Sequence, residues 1–188
     1  MGVAAEQVRH KITATEFFQM GKFGILKDDA RIELLDGDLI EMSPISPEHS
    51  FAVSGLHSYF AQKLAGKAYI TSQNPIVVNE VNVPQPDVVI AKWSKDYATR
   101  HPGPADIGLI IEVASTSLAY DRGAKRSLYA QHGIPEYWIL NLNDDTVERY
   151  SSPSDGQYTQ FEKLDTASSL SPLAFPDVAI DLKLALGK

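Results

Sequence analysis

The spacing of apolar and polar positions divides the chain into elements with clear boundaries. Thr13 and Glu16 form a capping box at the start of a short helix, Ile12 and Phe17 are placed as its hydrophobic staple, and Gly21 is its expected end. Ile32-Glu33-Leu34-Leu35 and Asp38-Leu39-Ile40-Glu41-Met42 flank Asp36-Gly37, a pair that tolerates positive φ and so predicts a tight hairpin. Ser46 and Pro47 stand as N-cap and first position of a longer helix closing at Gly66, with its apolar stripe at Val53, Leu56, Phe60 and Leu64.

Strands follow. The β-rich segment Ile76 to Val83 is the first expected, and Asp87 to Ala91, entered through Pro86, is the second. Ile107 to Ala114 is apolar almost without interruption, the pattern of a strand covered on both faces. Asp121 is the expected cap of a helix ending at Gly133, with Pro135 just beyond, and Tyr137 to Leu140 is a fourth core strand. Thr146 to Tyr150 and Gln157 to Leu164 read as a polar, peripheral hairpin around Ser-Pro-Ser-Asp-Gly. Trp93 and Trp138 are expected to pack. The order of elements gives an α/β or α+β class.

Composition narrows the function classes. With 188 residues, 44 % apolar, the chain is long enough for one domain with one core. It has no cysteine, which excludes disulfides, zinc ribbons and thiol nucleophiles. Lys plus Arg is 17 against 24 for Asp plus Glu, a net charge of −7, so the chain as a whole is not a polycation that coats DNA or membranes. No apolar run approaches a membrane span, and the first twenty residues carry charges where a signal peptide needs an apolar stretch; a cytoplasmic protein is expected. Lys92 to Gly133 is locally different: six bases against four acids give it a net +2, compatible with phosphate contacts.

Two carboxylates stand where carboxylates are costly. Glu112 lies inside the most apolar strand, between Ile111 and Val113, and Asp87 heads the run Val88-Val89-Ile90. If the two strands are neighbours, both groups can meet around one cation, and a divalent ion is the natural compensation. The alternative is a buried ion pair of Glu112 with a Lys or Arg. Ala124 and Leu128 are expected on the buried stripe of the following helix, with Lys125 on its margin; a solvated face for Arg122, Lys125 and Arg126 is the competing reading. His49 shares the inward stripe of its helix, as a group orienting water or phosphate or as a packed or capping residue. Glu33 shares a hairpin side with Leu35 and Ile40, with a salt bridge to Arg31 or Lys22 as its plain explanation. There is no P-loop, no His-Glu-x-x-His helix and no Gly-x-Ser-x-Gly elbow.

Pro86-Asp87, then Glu112-Val113-Ala114 closing a buried strand, then a helix with Lys125, resembles the PD-(D/E)XK restriction-endonuclease-like superfamily. The usual lysine slot two residues after the acid holds Ala114; some branches carry the lysine on the next helix, which makes Lys125 the candidate. Arg31-Ile32-Glu33-Leu34-Leu35-Asp36-Gly37, Ser46-Pro47-Glu48-His49, Ile111-Glu112-Val113-Ala114-Ser115 and Gly133-Ile134-Pro135-Glu136-Tyr137-Trp138 are similar, as an ordered set, to the Uma-two-type endonucleases, a largely uncharacterised bacterial family. The resemblance runs from about Thr13 to Leu184.

It implies a single restriction-endonuclease-like domain over 1–188, core about 31–142, with a mixed central sheet flanked by helices, an N-terminal helix and hairpin, and a peripheral C-terminal hairpin. It further implies a metal-dependent endonuclease that hydrolyses phosphodiester bonds of DNA. Asp87 and Glu112 would hold Mg²⁺ or Mn²⁺, with the Val113 carbonyl as a third ligand. Lys125 would position water or stabilise developing charge, and His49 and Glu33 are further candidates. Arg122 and Arg126 would contact nucleic acid, and a homodimer follows only by analogy. Against this stand a non-catalytic nucleic-acid-binding or interaction module on the same fold, and a structural dimer whose Glu112 is merely ion-paired.

Overall fold

The computed structural model describes residues 9–27, 30–165 and 168–183; the two ends of the expected domain, Leu184 among them, lie outside these. Helix α1 (Ala14–Lys22) starts on the capping box, with Thr13 and Glu16 bonded reciprocally. It ends one residue after the expected Gly21, and Gly24 takes the left-handed conformation beyond it. Strands β1 (Ile32–Leu35) and β2 (Asp38–Glu41) form the hairpin over Asp36-Gly37, both at positive φ. Helix α2 (Pro47–Lys63) begins at Ser46, whose hydroxyl accepts the His49 N–H, and buries Val53, Leu56, Phe60 and Leu64 against the sheet.

The central sheet is mixed and six-stranded, in order β3 (Ala68–Thr71), β4 (Val88–Lys92), β5 (Ile107–Ala114), β6 (Glu136–Asn141), β7 (Thr146–Ser154) and β8 (Gln157–Asp165). Among the described strands only β5 and β6 are parallel, and the helical crossover between them carries Lys125. Two short strands, β9 (Ser169–Leu170) and β10 (Ile180–Asp181), pair separately. The C-terminal hairpin joins the main sheet through β7, and β8 forms its edge.

Side-chain alternation along β5 decides what Glu112 meets. Leu109, Ile111 and Val113 point into the core beneath α2, whereas Ile107, Ile110 and Ala114 belong to the opposite core with Tyr129 and Tyr137. At a period of two, Glu112 shares the side of Ile110 and Ala114, which the crossover helix covers.

Four expectations are corrected. The first strand of the central sheet is β3, and Ile76 to Val83 forms no regular strand: Pro75 and Pro84 flank it and its backbone turns back between Asn79 and Asn82, although Ile76, Val78 and Val83 are buried and Val83 bridges Leu34. Asp121 does not cap its helix. The crossover starts as α3 (Leu118–Tyr120), passes through one π-helical turn (Asp121–Lys125) and continues as α4 (Arg126–Gln131), with Gly133 left-handed after it. The buried stripe is therefore Asp121, Lys125 and Tyr129, while Ala124 is exposed and Leu128 only half-buried. Trp138 packs in the core as expected, but Trp93 is exposed.

Candidate active site

At the C-terminal end of β5 a cleft of about 390 Å³ opens between the β1–β2 hairpin, the start of α2 and the crossover helix. Its floor gathers Glu33, Asp87, Glu112, Asp121 and Lys125, all buried. They arrive from four separate elements. Glu33 comes from β1, opposite Ile40, and its Oε2 accepts the Gln85 N–H at 3.2 Å. Asp87 sits where the Pro86 segment enters β4, and Glu112 lies two residues before the end of β5. The π-helical turn turns both Asp121 and Lys125 inward, a placement such turns often give functional groups.

Lys125 is the hub. Its Nζ lies 3.0 Å from Glu112 Oε1, 3.5 Å from Glu33 Oε2 and 3.9 Å from Asp121 Oδ1. The Tyr129 hydroxyl also donates to Glu112 Oε1 at 3.0 Å, and the Asp87 N–H donates to Glu112 Oε2 at 3.3 Å. Asp87 Oδ2 accepts the Val113 N–H at 2.9 Å and lies 3.1 Å from His49 Nε2. Gln73 Nε2 reaches Asp87 Oδ1 at 3.4 Å. Asp121 Oδ2 accepts from the Ser117 hydroxyl at 2.7 Å.

The electrostatics are lopsided, with four buried carboxylates around one ammonium. Burial pushes the Glu112 carboxyl well above its usual range; Lys125 opposes this, and Asp121, Asp87 and Glu33 reinforce it. Burial likewise raises Asp121 against the pull of Lys125. For Lys125 burial favours the neutral amine, but Glu112, Glu33, Asp121 and Asp87 outweigh it and keep the ammonium charged beyond its ordinary range. The Tyr120 hydroxyl beside them is pushed up to about 12, chiefly by burial. Hard oxygen donors in excess of positive charge suit Mg²⁺ or Mn²⁺. The fit is one of chemistry and charge: among the described residues no three His, Cys, Asp or Glu side chains are already grouped as a metal cage.

The residues singled out in the sequence thus divide. Asp87, Glu112, Lys125, His49 and Glu33 meet in one cleft, and Val113 touches the cluster through its N–H, which donates to Asp87, rather than through the expected carbonyl. The partner of Glu33 is Lys125; Arg31 instead donates to the Ser43 carbonyl. Arg122 and Arg126 lie outside this cleft. The Arg122 guanidinium grips Glu148, and Arg126 stands 5.4 Å from the Tyr150 ring centroid. Sequence reasoning did not assign Asp121, Tyr129 and Gln73 to the site. The spacing Asp121-Lys125-Tyr129, one helical face at intervals of four, was the available signal for the first two.

The Arg122 pair yields a stability prediction. Burial works to raise the Glu148 carboxyl, but the Arg122 and Tyr150 hydrogen bonds outweigh it and hold it below the usual range. A depressed carboxylate contributes stability above its unfolded pKa and loses it as pH falls through the folded one. Arg122→Gln should cost about 1–3 kcal/mol in denaturant melts at pH 7. The partial exposure of Arg122 keeps this below the cost of breaking a fully buried pair. The penalty should fade below about pH 4.

Five solved chains are significantly similar to this one. One is a crystal structure of a putative nuclease belonging to DUF820 from Anabaena variabilis. Its TM-score is 0.72 at 17 % sequence identity, over 94 % of this chain and 98 % of that one. The likeness establishes that the two chains share a fold. No curated protein matches the sequence. No helix among the described residues is long and apolar enough to cross a membrane. A family model described as "Putative restriction endonuclease" (Uma2) matches residues 14–185, and the chain belongs to that family.

Proposed function

We propose that the protein is a metal-dependent endonuclease hydrolysing phosphodiester bonds of DNA. The observation that carries this reading is the convergence of Asp87, Glu112 and Lys125, from three separate elements, on the floor of one open cleft. Uncompensated carboxylates are expensive to bury, so their gathering needs a cationic partner beyond Lys125.

Asp87 and Glu112 would hold Mg²⁺ or Mn²⁺. When bound, such an ion supplies charge neutralisation at the phosphoryl oxygens and lowers the pKa of water. The protein's own groups do the rest. Tyr129 and Lys125 fix Glu112 Oε1, leaving the carboxylate one orientation toward Asp87. Lys125 can offer an N–H to the attacking water or to the oxygen gaining negative charge. His49 and the Val113 N–H both engage Asp87 Oδ2 and thereby set its Oδ1 toward Gln73. Ala114 leaves the usual lysine slot without charge, and Lys125 fills the space from the next helix.

One observation favours a rival reading, a nucleic-acid-binding module without catalysis. Lys125 already bonds Glu112 Oε1, and no carboxylate cage stands preformed among the described residues. The deciding experiment offers supercoiled plasmid, linear duplex, single-stranded DNA and RNA with Mn²⁺, each beside an EDTA control. Cleavage of DNA that EDTA stops is expected. Binding without cleavage of any of the four favours the module.

A further inference from the structure

A second cavity lies on the far side of the crossover helix, between α4 and the β7–β8 hairpin. It encloses about 310 Å³ and is lined by Arg126, Ser127, Tyr150, Gln157, Tyr158 and Phe161, together with Ala130 and Gly156. Three features of its walls go together. Phe161 is 57 % exposed, an unusual position for a large apolar ring, and its ring lies 5.0 Å from Tyr150 in a tilted contact. Arg126 stands 5.4 Å from the same Tyr150 ring and interacts with its hydroxyl, and no carboxylate lies within 4 Å of its guanidinium among the described residues. Behind these, Tyr137 stacks on both Tyr150 and Tyr158, at 6.0 and 6.4 Å, so the aromatic wall is backed by packed rings.

An open aromatic face beside a guanidinium without a carboxylate partner fits a planar ring joined to an anionic group. We propose that this cavity binds one nucleotide, its base stacked on Phe161 and its phosphate held by Arg126. Gln157, on the exposed turn side of the hairpin, supplies an amide for the base edge, and Ser127 supplies a hydroxyl. The volume sits at the small end of ligand pockets, about 300–1,000 Å³, which suits a single nucleotide and excludes a duplex. An aromatic platform of this kind accepts any base, because every base has a π-face. The same chemistry is offered by a free mononucleotide and by an unpaired base of a single strand. The assignment goes beyond the cleft and does not depend on its metal or its catalysis.

The test is binding to the full chain in EDTA, so that no cleavage enters the reading. Calorimetry with dAMP and fluorescence anisotropy with a labelled oligo-dT probe give the two affinities. Phe161→Ala should weaken binding by roughly tenfold or more, the scale of one lost base–aromatic stack. Phe161→Leu, which keeps an apolar side chain but no ring, should fail to restore it. Arg126→Gln should weaken both probes and flatten the salt dependence of the oligonucleotide. Tighter binding of oligo-dT than of dAMP identifies a single strand as the source, and equal affinity identifies the free nucleotide; either supports the site. Unchanged affinities in Phe161→Ala and Arg126→Gln, or no binding of either probe at millimolar concentration, would overturn it. Because cleavage is not read, failure here leaves the nuclease reading standing, and failure of cleavage leaves this site standing.

Discussion

Lys125→Met is expected to lower the cleavage rate by roughly 10²-fold or more, the scale of losing one preorganised electrostatic group. It should also unsettle the fold in the absence of metal. Lys125 is buried within 4 Å of Glu112, Glu33 and Asp121, and methionine leaves those three carboxylates facing one another. Removing one partner from a buried ion pair costs about 3–5 kcal/mol. For a chain of this size that is a fall in melting temperature on the order of 10 °C. Mn²⁺ should recover more stability in Lys125→Met than in the wild type, because the ion then neutralises the cluster alone. Lys125→Arg keeps the charge in a different shape; it should melt closer to the wild type yet cleave slowly. Rapid cleavage by Lys125→Met would remove Lys125 from the chemistry.

Glu112→Gln addresses the metal. The wild type should melt at higher temperature as Mn²⁺ rises, since an ion that binds only the folded state stabilises it by mass action. Glu112→Gln should abolish most of that shift. The pH dependence has a definite sign. The Glu112 carboxyl is raised in the folded protein, mainly by burial. A raised carboxyl contributes stability below its unfolded pKa, and this is lost as pH climbs through the folded value. Metal-free wild type should therefore lose stability as pH rises above about 4, the ordinary carboxylate range. The Mn²⁺-induced shift should grow over the same interval, because the ion competes with the protons. Glu112→Gln should flatten the metal-free slope, leaving the smaller contribution of Asp121. A Mn²⁺ shift equal in both proteins would place the ion elsewhere.

Local signals in the chain carried the parts of the fold that local physics decides. The Thr13–Glu16 box, the Asp36-Gly37 turn, the Ser46-Pro47 helix start and the apolar run of β5 all depend on neighbours within a few residues. The misses depend on distant ones. Ala68-Tyr69-Ile70-Thr71 is too short to stand out after Gly66, and it becomes a strand by pairing with β4. Ile76 to Val83 has β-rich composition, but its backbone bonds go to single bridges and turns. Asp121 looks like a cap because aspartates favour helix starts; inside the helix it is held by Ser117 and Lys125 instead. The apolar pattern favours Ala124 and Leu128 for the inner face, and the π-helical turn instead brings the polar set Asp121, Lys125 and Tyr129 inward. Asp87 and Glu112 were legible because a carboxylate in an apolar strand breaks the rule that its neighbours keep.

On the proposed function, Asp87 and Glu112 hold a divalent ion for phosphodiester hydrolysis of DNA. Its most direct test is the initial rate of nicking of supercoiled plasmid across a Mn²⁺ titration, wild type beside Asp87→Asn. Asp87→Asn keeps the size of the side chain and removes a hard anionic donor. A wild-type rate that rises with Mn²⁺ to a plateau is expected, with an Asp87→Asn rate lower by roughly 10²-fold or more at the same metal, the scale set by one lost electrostatic group. Equal rates in the two proteins, or nicking by the wild type that EDTA does not stop, would contradict it.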